Sequence, residues 1–215
     1  MRITLTTSAW IEHEPTWIPE READALLEAL RHELAWEQRE VVLFGRRVLQ
    51  PRLIAWAGDL GYRYSGQTLE PRAFTPVMER LLWRVRERTG VPFNHVLVNR
   101  YRDGGDSMGF HADDEPGLGE DPVVATLSLG APRRFVLKPR RHAGERHTLD
   151  LGLGSLIVMR GTCQRDYYHG VPRQPGFLGE RMSLTFRKIF AAAGAIGIPP
   201  AASVAPRSQA PAAFL

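Results

Sequence analysis

The sequence has very little cysteine, with Cys163 alone among 215 residues. A single cysteine excludes an internal disulfide and a zinc site built from cysteines, and it is typical of a reducing compartment such as the cytoplasm. The sequence also lacks an apolar run approaching the ~20 residues of a membrane span. Its first residues contain no apolar segment leading to a small-residue cleavage site. We therefore expect a cytoplasmic protein without a membrane span or an export signal.

The protein has a moderate excess of positive charge, with a formal net charge of +4 at pH 7. Six basic residues fall within one short segment: Arg133, Arg134, Lys138, Arg140, Arg141 and Arg146. Because neutralisation of phosphates by Lys and Arg drives non-specific binding of nucleic acids, this segment is either a surface for a polyanion or an ordinary solvated loop.

Two helices are predicted before residue 90. Apolar residues recur with a helical period from Glu20, which predicts an amphipathic helix ending near Trp36. Thr75 is a capping residue followed by proline, and this pair predicts the start of a second helix. Gly90 lies where a left-handed C-cap belongs, so the second helix should end at Thr89.

Most of the remaining chain consists of short strands separated by Gly and Pro turns. Residues 3–5 predict an edge strand followed by a loop to residue 19, and residues 41–51 predict a hairpin with Phe44 at its turn. Seven further strands are predicted at 93–101, 123–128, 134–137, 147–151, 155–159, 167–169 and 182–187. This series is typical of a β-sandwich or barrel, so the predicted fold class is α+β, mainly β, with the two N-terminal helices bracing one face. Residues 191–215 are rich in Ala and Pro and are predicted to form a disordered tail.

The segment from Asn99 to Glu115 contains three glycines and ends in a histidine followed closely by three carboxylates. Side chains alternate along an extended chain, so His111 and Asp113 can face one metal ion. His169 is the candidate for the third ligand. Two histidines and one carboxylate with open coordination positions are typical of non-haem iron(II) oxygenases.

Two arginines near the end of the β region indicate a second ligand. Arg181 and Arg187 are separated by an even number of residues, which turns both guanidinium groups to one face of a strand. Because arginine suits bidentate binding of a carboxylate, we expect a dicarboxylate co-substrate beside the metal. Cys163 is not expected to be a ligand, since a thiolate beside iron and O2 would be oxidised.

These motifs together carry a family resemblance. Asn99-x-Tyr101, His111-x-Asp113, His169 and Arg181-x5-Arg187, in this order, resemble the AlkB-type iron(II)/2-oxoglutarate dioxygenases, which repair alkylated nucleic acids. The similarity extends over about residues 44–189 and looks closest to the members that repair duplex DNA. It implies a single domain over residues 1–190. The helices and a nucleotide-recognition lid would occupy about 1–90, and a double-stranded β-helix, or jelly roll, about 91–190.

The resemblance also implies the role of each site residue. The iron ligands would be His111, Asp113 and His169, and the 2-oxoglutarate contacts would be Asn99, Tyr101, Arg181 and Arg187. Substrate contacts would come from Asp114, the lid residues Tyr62 and Tyr64, an intercalating Phe44, and Arg52 near the opened base pair. With O2 as oxidant, an N-alkyl carbon would be hydroxylated. The unmodified base, an aldehyde, succinate and CO2 would be the products.

The expected partner is therefore alkylated nucleic acid of the 1-methyladenine or 3-methylcytosine type, bound by a monomer. DNA is the first choice, either duplex or single-stranded. A target base in a duplex must be flipped out to enter a pocket, and an apolar wedge at Phe44 can fill the gap that it leaves. Two alternatives stay open: the same chemistry on RNA or protein, and a catalytically silent jelly roll that only binds nucleic acid.

Overall fold

The computed structural model describes residues 1–43, 45–64, 67–141, 144–176 and 179–191. The predictions made for Phe44 and for the tail after residue 191 lie outside the described residues, as does the side chain of Tyr64. No helix in these ranges is both long and apolar enough to cross a membrane.

The described elements are three α-helices, one short 3-10 helix (Pro116–Leu118) and fifteen strands. The helices are α1 (Glu20–Glu33), α2 (Pro76–Thr89) and α3 (Cys163–Asp166). The strands up to the second helix are β1 (Arg2–Thr4), β2 (Ala9–Glu14), β3 (Glu40–Leu43), β4 (Arg46–Leu49), β5 (Leu53–Gly58), β6 (Tyr62–Tyr64) and β7 (Gln67–Leu69). Those after it are β8 (His95–Tyr101), β9 (Met108–His111), β10 (Val124–Gly130), β11 (Arg133–Pro139), β12 (His147–Leu151), β13 (Leu156–Gly161), β14 (Tyr167–Val171) and β15 (Arg181–Arg187).

Two antiparallel sheets form the centre of the fold. The major sheet has the strand order β1-β2-β13-β10-β15-β8-β5, and the minor sheet has the order β12-β11-β14-β9. Buried side chains from both sheets form one apolar cluster, for example Ile157 of the major sheet and Leu137 of the minor sheet. Two sheets packed through a shared core fit the predicted jelly roll. The hairpins β3-β4 and β6-β7 are separate two-stranded ribbons.

Strand β15 shows why the major sheet is buried on both faces. Four alternate residues line a cavity between the two sheets: Arg181, Ser183, Thr185 and Arg187. The intervening Met182, Leu184 and Phe186 belong to a second apolar cluster, which also contains Leu30 of α1 and Leu81 of α2. Because side chains alternate along a strand, a single strand contributes polar groups to the cavity and apolar groups to the cluster with the helices.

The helix predictions are confirmed in type and closely in extent. Thr75 caps α2, since its side-chain oxygen accepts a hydrogen bond from the Met78 amide at 3.3 Å. Gly90 ends that helix in the left-handed conformation with φ of 69°, as expected for a glycine C-cap. Helix α1 starts at Glu20 as predicted but ends at Glu33, three residues before Trp36.

The predicted loop between the first strand and residue 19 is wrong. Residues Ala9–Glu14 form β2, which pairs with β13 in the major sheet. Ala9, Ile11 and His13 alternate with less buried residues along this strand. The alternation of apolar and polar residues is not evident in the sequence of this strand, because His13 occupies one of the inward positions. Strands β5 and β9, which hold residues next to the cavity, were also not predicted.

Candidate active site

Two histidines lie directly opposite each other on neighbouring strands of the minor sheet. His111 on β9 is the cross-strand partner of His169 on β14, and their ring centroids are 4.3 Å apart. Between this pair and the next paired position, β9 contains one residue more than β14, which is a β-bulge. Directly opposite residues share one face of a sheet, and both histidines line the cavity between the sheets.

The bulge brings the β9 backbone close to Gly170. A Cβ atom at this position would lie 2.9 Å from the carbonyl oxygen of Met108 and 3.2 Å from that of Gly109. The glycine after the second histidine therefore lets the strand carrying the first one approach. His111 Nδ1 lies 3.0 Å from the Gly109 carbonyl oxygen. Since a carbonyl can only accept, Nδ1 carries the proton, and Nε2 is left to bind a metal.

Asp113 completes a cluster whose ligand atoms all lie within 4.8 Å of one another. Its Oδ1 accepts hydrogen bonds from Arg187 Nε at 3.0 Å and Nη2 at 2.7 Å. Its Oδ2 accepts no hydrogen bond from the described residues and lies 3.6 Å from His169 Nε2. The Asp113 amide donates to Gln164 Oε1 at 3.0 Å. One carboxylate oxygen is thus held by protein, and the other is available to a metal ion together with the two histidines.

Electrostatics favour the metal-binding protonation states of this cluster. Burial lowers the pKa of His111, and burial together with His111 lowers the pKa of His169 to about 3. Burial alone would raise the pKa of Asp113, but Arg187 and the two histidines outweigh it and lower the pKa to about 2. Two neutral imidazoles and an ionised carboxylate are the ligand set of a non-haem iron(II) site, so the residues present fit iron(II).

Arg181 places a buried positive charge in the same cavity. Its side chain is 1% exposed, and Nη2 donates to Ser128 Oγ at 2.8 Å. Nε and Nη1 have no hydrogen-bond acceptor within the described residues. Burial lowers the pKa of this guanidinium, since its charged form is desolvated. Two open N–H donors on a buried cation fit a carboxylate ligand.

The cavity is narrow and is lined by both sheets. Its volume is about 20 Å³. Asn99 and Tyr101 contribute to the wall from β8, and the Arg181 guanidinium lies 5.3 Å from the centre of the Tyr101 ring. All four residues predicted to contact 2-oxoglutarate therefore line one cavity with both histidines.

A family model described as the 2OG-Fe(II) oxygenase superfamily matches residues 11–187. The DNA oxidative demethylase ALKBH2 of Mus musculus is 39% identical over 180 residues, which cover 78% of this chain and 75% of that protein. The chain belongs to the AlkB-type 2OG-Fe(II) oxygenases.

Other relatives agree with this placement. The alpha-ketoglutarate-dependent dioxygenases alkB homolog 3 of Rattus norvegicus and of Homo sapiens are each 40% identical over 185 residues, covering 82% of this chain. The chain spans 63% of the rat protein and 65% of the human protein, slightly less than two thirds of each. The solved structure of OsALKBH1 has a TM-score of 0.60 at 16% identity and covers 87% of this chain and 100% of its own. That structure therefore shares the fold.

On the substrate side of this AlkB-type oxygenase, the structure distinguishes between two neighbouring carboxylates. Asp114, the predicted base contact, is exposed and forms an ion pair with Arg140 at 2.6 Å. Glu115 instead accepts a hydrogen bond from the Tyr62 hydroxyl at 2.9 Å. Burial and the nearby Asp113 raise the pKa of Glu115. The two carboxylates therefore have different surroundings, and alternation along an extended chain relates Glu115 to Asp113. The base contact expected of Asp114 stays a prediction.

Tyr62, one of the two residues expected in the lid, lies close to Arg187. It is buried, and the Arg187 guanidinium lies 5.6 Å from the centre of its ring. Burial raises the pKa of its hydroxyl, so the group remains a donor. The ring also packs edge-on against His95, with centroids 5.1 Å apart. Both ring nitrogens of His95 are buried without a hydrogen-bond partner in the described part of the chain.

Two arginines assigned to nucleic acid from the sequence are interior residues. Arg52 is 6% exposed, and its Nε donates to Asn99 Oδ1 at 2.8 Å. This placement argues against the predicted contact with an opened base pair, and it makes Arg52 a support for the cavity wall. Arg133 is 1% exposed and donates to the carbonyl oxygens of Asp103, Asp106 and Pro172. It therefore holds loops together and is unavailable to a polyanion.

Proposed function

We propose that this protein is an iron(II)- and 2-oxoglutarate-dependent dioxygenase that dealkylates N-alkylated bases in nucleic acid, with DNA as the first choice. One observation carries the proposal: the cluster of His111, Asp113 and His169 lies in the same buried cavity as Arg181, whose donors are open. The printed names of its relatives, DNA oxidative demethylase and alpha-ketoglutarate-dependent dioxygenase, support the same chemistry.

In this proposal each side chain has a defined task. The cluster of two histidines and Asp113 holds iron, and Arg187 keeps Asp113 ionised and fixes the orientation of its carboxylate. Arg181 holds the distal carboxylate of 2-oxoglutarate, with Asn99 and Tyr101 beside it in the cavity. When bound, iron and 2-oxoglutarate supply the oxidation of an N-alkyl carbon by O2. The hydroxylated alkyl group then leaves as an aldehyde, with succinate and CO2 as co-products.

Glu115 and Tyr62 are proposed to hold the target base. Alkylation at N1 of adenine or N3 of cytosine leaves a cationic base, which a carboxylate can neutralise at short range. Glu115 is held by Tyr62 beside Asp113, so the cationic ring would be drawn toward the metal cluster. A base in a duplex has to be extruded to reach such a buried position.

The proposal is tested with oligonucleotides containing 1-methyladenine or 3-methylcytosine, supplied with iron(II), ascorbate, 2-oxoglutarate and air. Mass spectrometry should detect restored bases with wild-type protein. His111→Ala should retain affinity for the oligonucleotide and lose restoration. If wild-type protein binds the oligonucleotide and never restores a base, the catalytically silent alternative replaces the proposal. Restoration of bases only in RNA would support the alternative that the same chemistry acts on RNA.

We further propose that the protein acts on duplex DNA through the β3-β4 hairpin. The hairpin exposes Arg46 and Arg47 next to the turn that contains Phe44 in the sequence. Phe44→Ala should slow repair in a duplex more than in a single strand, because an apolar wedge is needed only where a base pair is opened. Equal slowing of both would contradict the wedge.

We also propose that residues 1–190 act as a single domain and that the protein is a monomer. Helices α1 and α2 share a buried cluster with the major sheet, which supports the prediction that they brace one of its faces. Light scattering should give a mass near 24.2 kDa, and calorimetry should give one cooperative transition. A dimer mass or two separate transitions would contradict these proposals.

A further inference from the structure

An exposed aromatic side chain lies immediately beside the first metal-ligand candidate. Phe110 is 44% exposed and precedes His111 on β9. Among the strands that the structure describes, β9 pairs with β14 alone and therefore forms an edge of the minor sheet. His111 lines the cavity, whereas Phe110 is outside it. Because consecutive Cα atoms are about 3.8 Å apart, the backbone that carries the exposed ring directly adjoins that of His111.

A guanidinium group accompanies this ring. The Arg146 guanidinium lies 5.9 Å from the centre of the Phe110 ring. Arg146 is exposed and forms no ion pair with any residue that the structure describes. An aromatic ring and an arginine side by side offer two flat groups on which a nucleic-acid base can stack.

The outer face of the minor sheet adds positive charge to this corner. Lys138 and Tyr168 are cross-strand partners on β11 and β14. Arg140 stacks 4.7 Å from the centre of the Tyr168 ring, although its charge is paired with Asp114. Four exposed basic residues of segment 133–146 form no ion pair among the described residues: Arg134, Lys138, Arg141 and Arg146. Exposed acidic residues of the same region are Glu145 and Asp150, so the local balance remains positive.

We propose that Phe110 and Arg146 form a stacking platform for the nucleotide next to the target base, on the same strand of nucleic acid. The inference rests on the proposed function, because a base drawn into the cavity leaves its neighbour at the rim where Phe110 lies. Phosphates of the same strand are complementary to the unpaired basic residues of the minor sheet. A polyanion with flat bases matches both the basic residues and the aromatic ring of this surface.

The platform predicts a dependence on the neighbouring base. The test uses protein loaded with Mn(II) and 2-oxoglutarate without O2, so that the substrate is not consumed. Fluorescence anisotropy measures the Kd of a labelled pentanucleotide with a central 1-methyladenine, and competition measures that of 1-methyladenosine monophosphate. Phe110→Leu keeps apolar bulk and removes the aromatic face. It should weaken pentanucleotide binding by about 5- to 100-fold and mononucleotide binding by less than about twofold.

Matched variants separate stacking from general damage. Phe110→Tyr retains an aromatic face and should bind the pentanucleotide within about twofold of wild type. Trp83→Ala removes another exposed aromatic flanked by arginines, on α2, and should have no effect. Arg146→Ala should flatten the dependence of log K on log salt by about one unit. Unchanged pentanucleotide affinity in Phe110→Leu, or equal losses on both ligands, would overturn the platform.

The platform and the proposed function can fail separately. If wild-type protein restores no base but Phe110→Leu still weakens the pentanucleotide selectively, the function is wrong and the platform remains. If bases are restored and Phe110→Leu binds like wild type, the function remains and the platform is wrong. In the second outcome, the exposed ring of Phe110 would contact a partner other than nucleic acid.

Discussion

The buried ion pair between Arg187 and Asp113 offers the most quantitative test of the site. Both side chains are almost completely buried, at 2% and 0% exposure. Arg187→Leu removes the guanidinium and leaves a carboxylate without its main counter-charge. Breaking a buried pair in this way costs about 3–5 kcal/mol. For a chain of this length each kcal/mol corresponds to about 2–4 °C, so the Tm of metal-free protein should fall by about 6–20 °C.

The assay is calorimetry in the presence of a chelator, with two comparison variants. Arg187→Leu combined with Asp113→Asn removes both charges and should recover at least half of the loss, because an uncharged pair no longer carries the desolvation penalty. Arg46→Leu changes an exposed arginine on β4 and should alter stability by less than about 0.5 kcal/mol. Mn(II) should raise the Tm of Arg187→Leu more than that of wild type, since the metal supplies the missing positive charge.

Two results would refute this reasoning. A loss below about 1 kcal/mol for Arg187→Leu would mean that Asp113 is solvated or protonated despite its position. If the double variant is no more stable than Arg187→Leu, the loss of stability comes from the lost packing of the aliphatic part of the Arg187 side chain.

Three further predictions concern residues around the cavity. Burial and Arg187 lower the pKa of His95 to about 3, below the unfolded value of about 6.5. His95 alone should therefore lower the free energy of unfolding by about 2 kcal/mol between pH 7 and pH 5, and urea titrations should show a correspondingly smaller fall for His95→Phe. Gly170→Ala should weaken Mn(II) binding about tenfold or more, because its Cβ would meet the β9 backbone. Titration calorimetry should show no change for Gly117→Ala, which has open space. Arg181→Met should raise the KM for 2-oxoglutarate by about 30-fold or more, whereas an effect confined to the nucleic-acid KM would contradict a carboxylate contact.

The sequence was most informative where local patterns decide local structure. The start and end of α2 follow from Thr75 and Gly90, whose side-chain oxygen and left-handed conformation act within one turn. The even spacing between Arg181 and Arg187 correctly predicted that both face one cavity. The candidate ligands His111, Asp113 and His169 were also found from the sequence, and the structure brings them together.

Features that depend on tertiary packing were not visible in the sequence. The bulge in β9 depends on how that strand passes Gly170, and no local pattern reports it. Arg52 was expected near an opened base pair from the family resemblance, and Arg133 was one member of the basic segment 133–146, yet both donate to interior oxygen atoms. The different partners of Asp114 and Glu115 depend on the path of the chain after His111, which the sequence does not show.

The central claim is that one cavity couples the use of 2-oxoglutarate to removal of an alkyl group. The most direct measurement counts products from wild-type protein acting on an oligonucleotide with 1-methyladenine in air. The account predicts one succinate and one formaldehyde for each adenine restored, and no restored adenine with Asp113→Asn. Succinate formed without restored adenine, or restored adenine without 2-oxoglutarate, would contradict it.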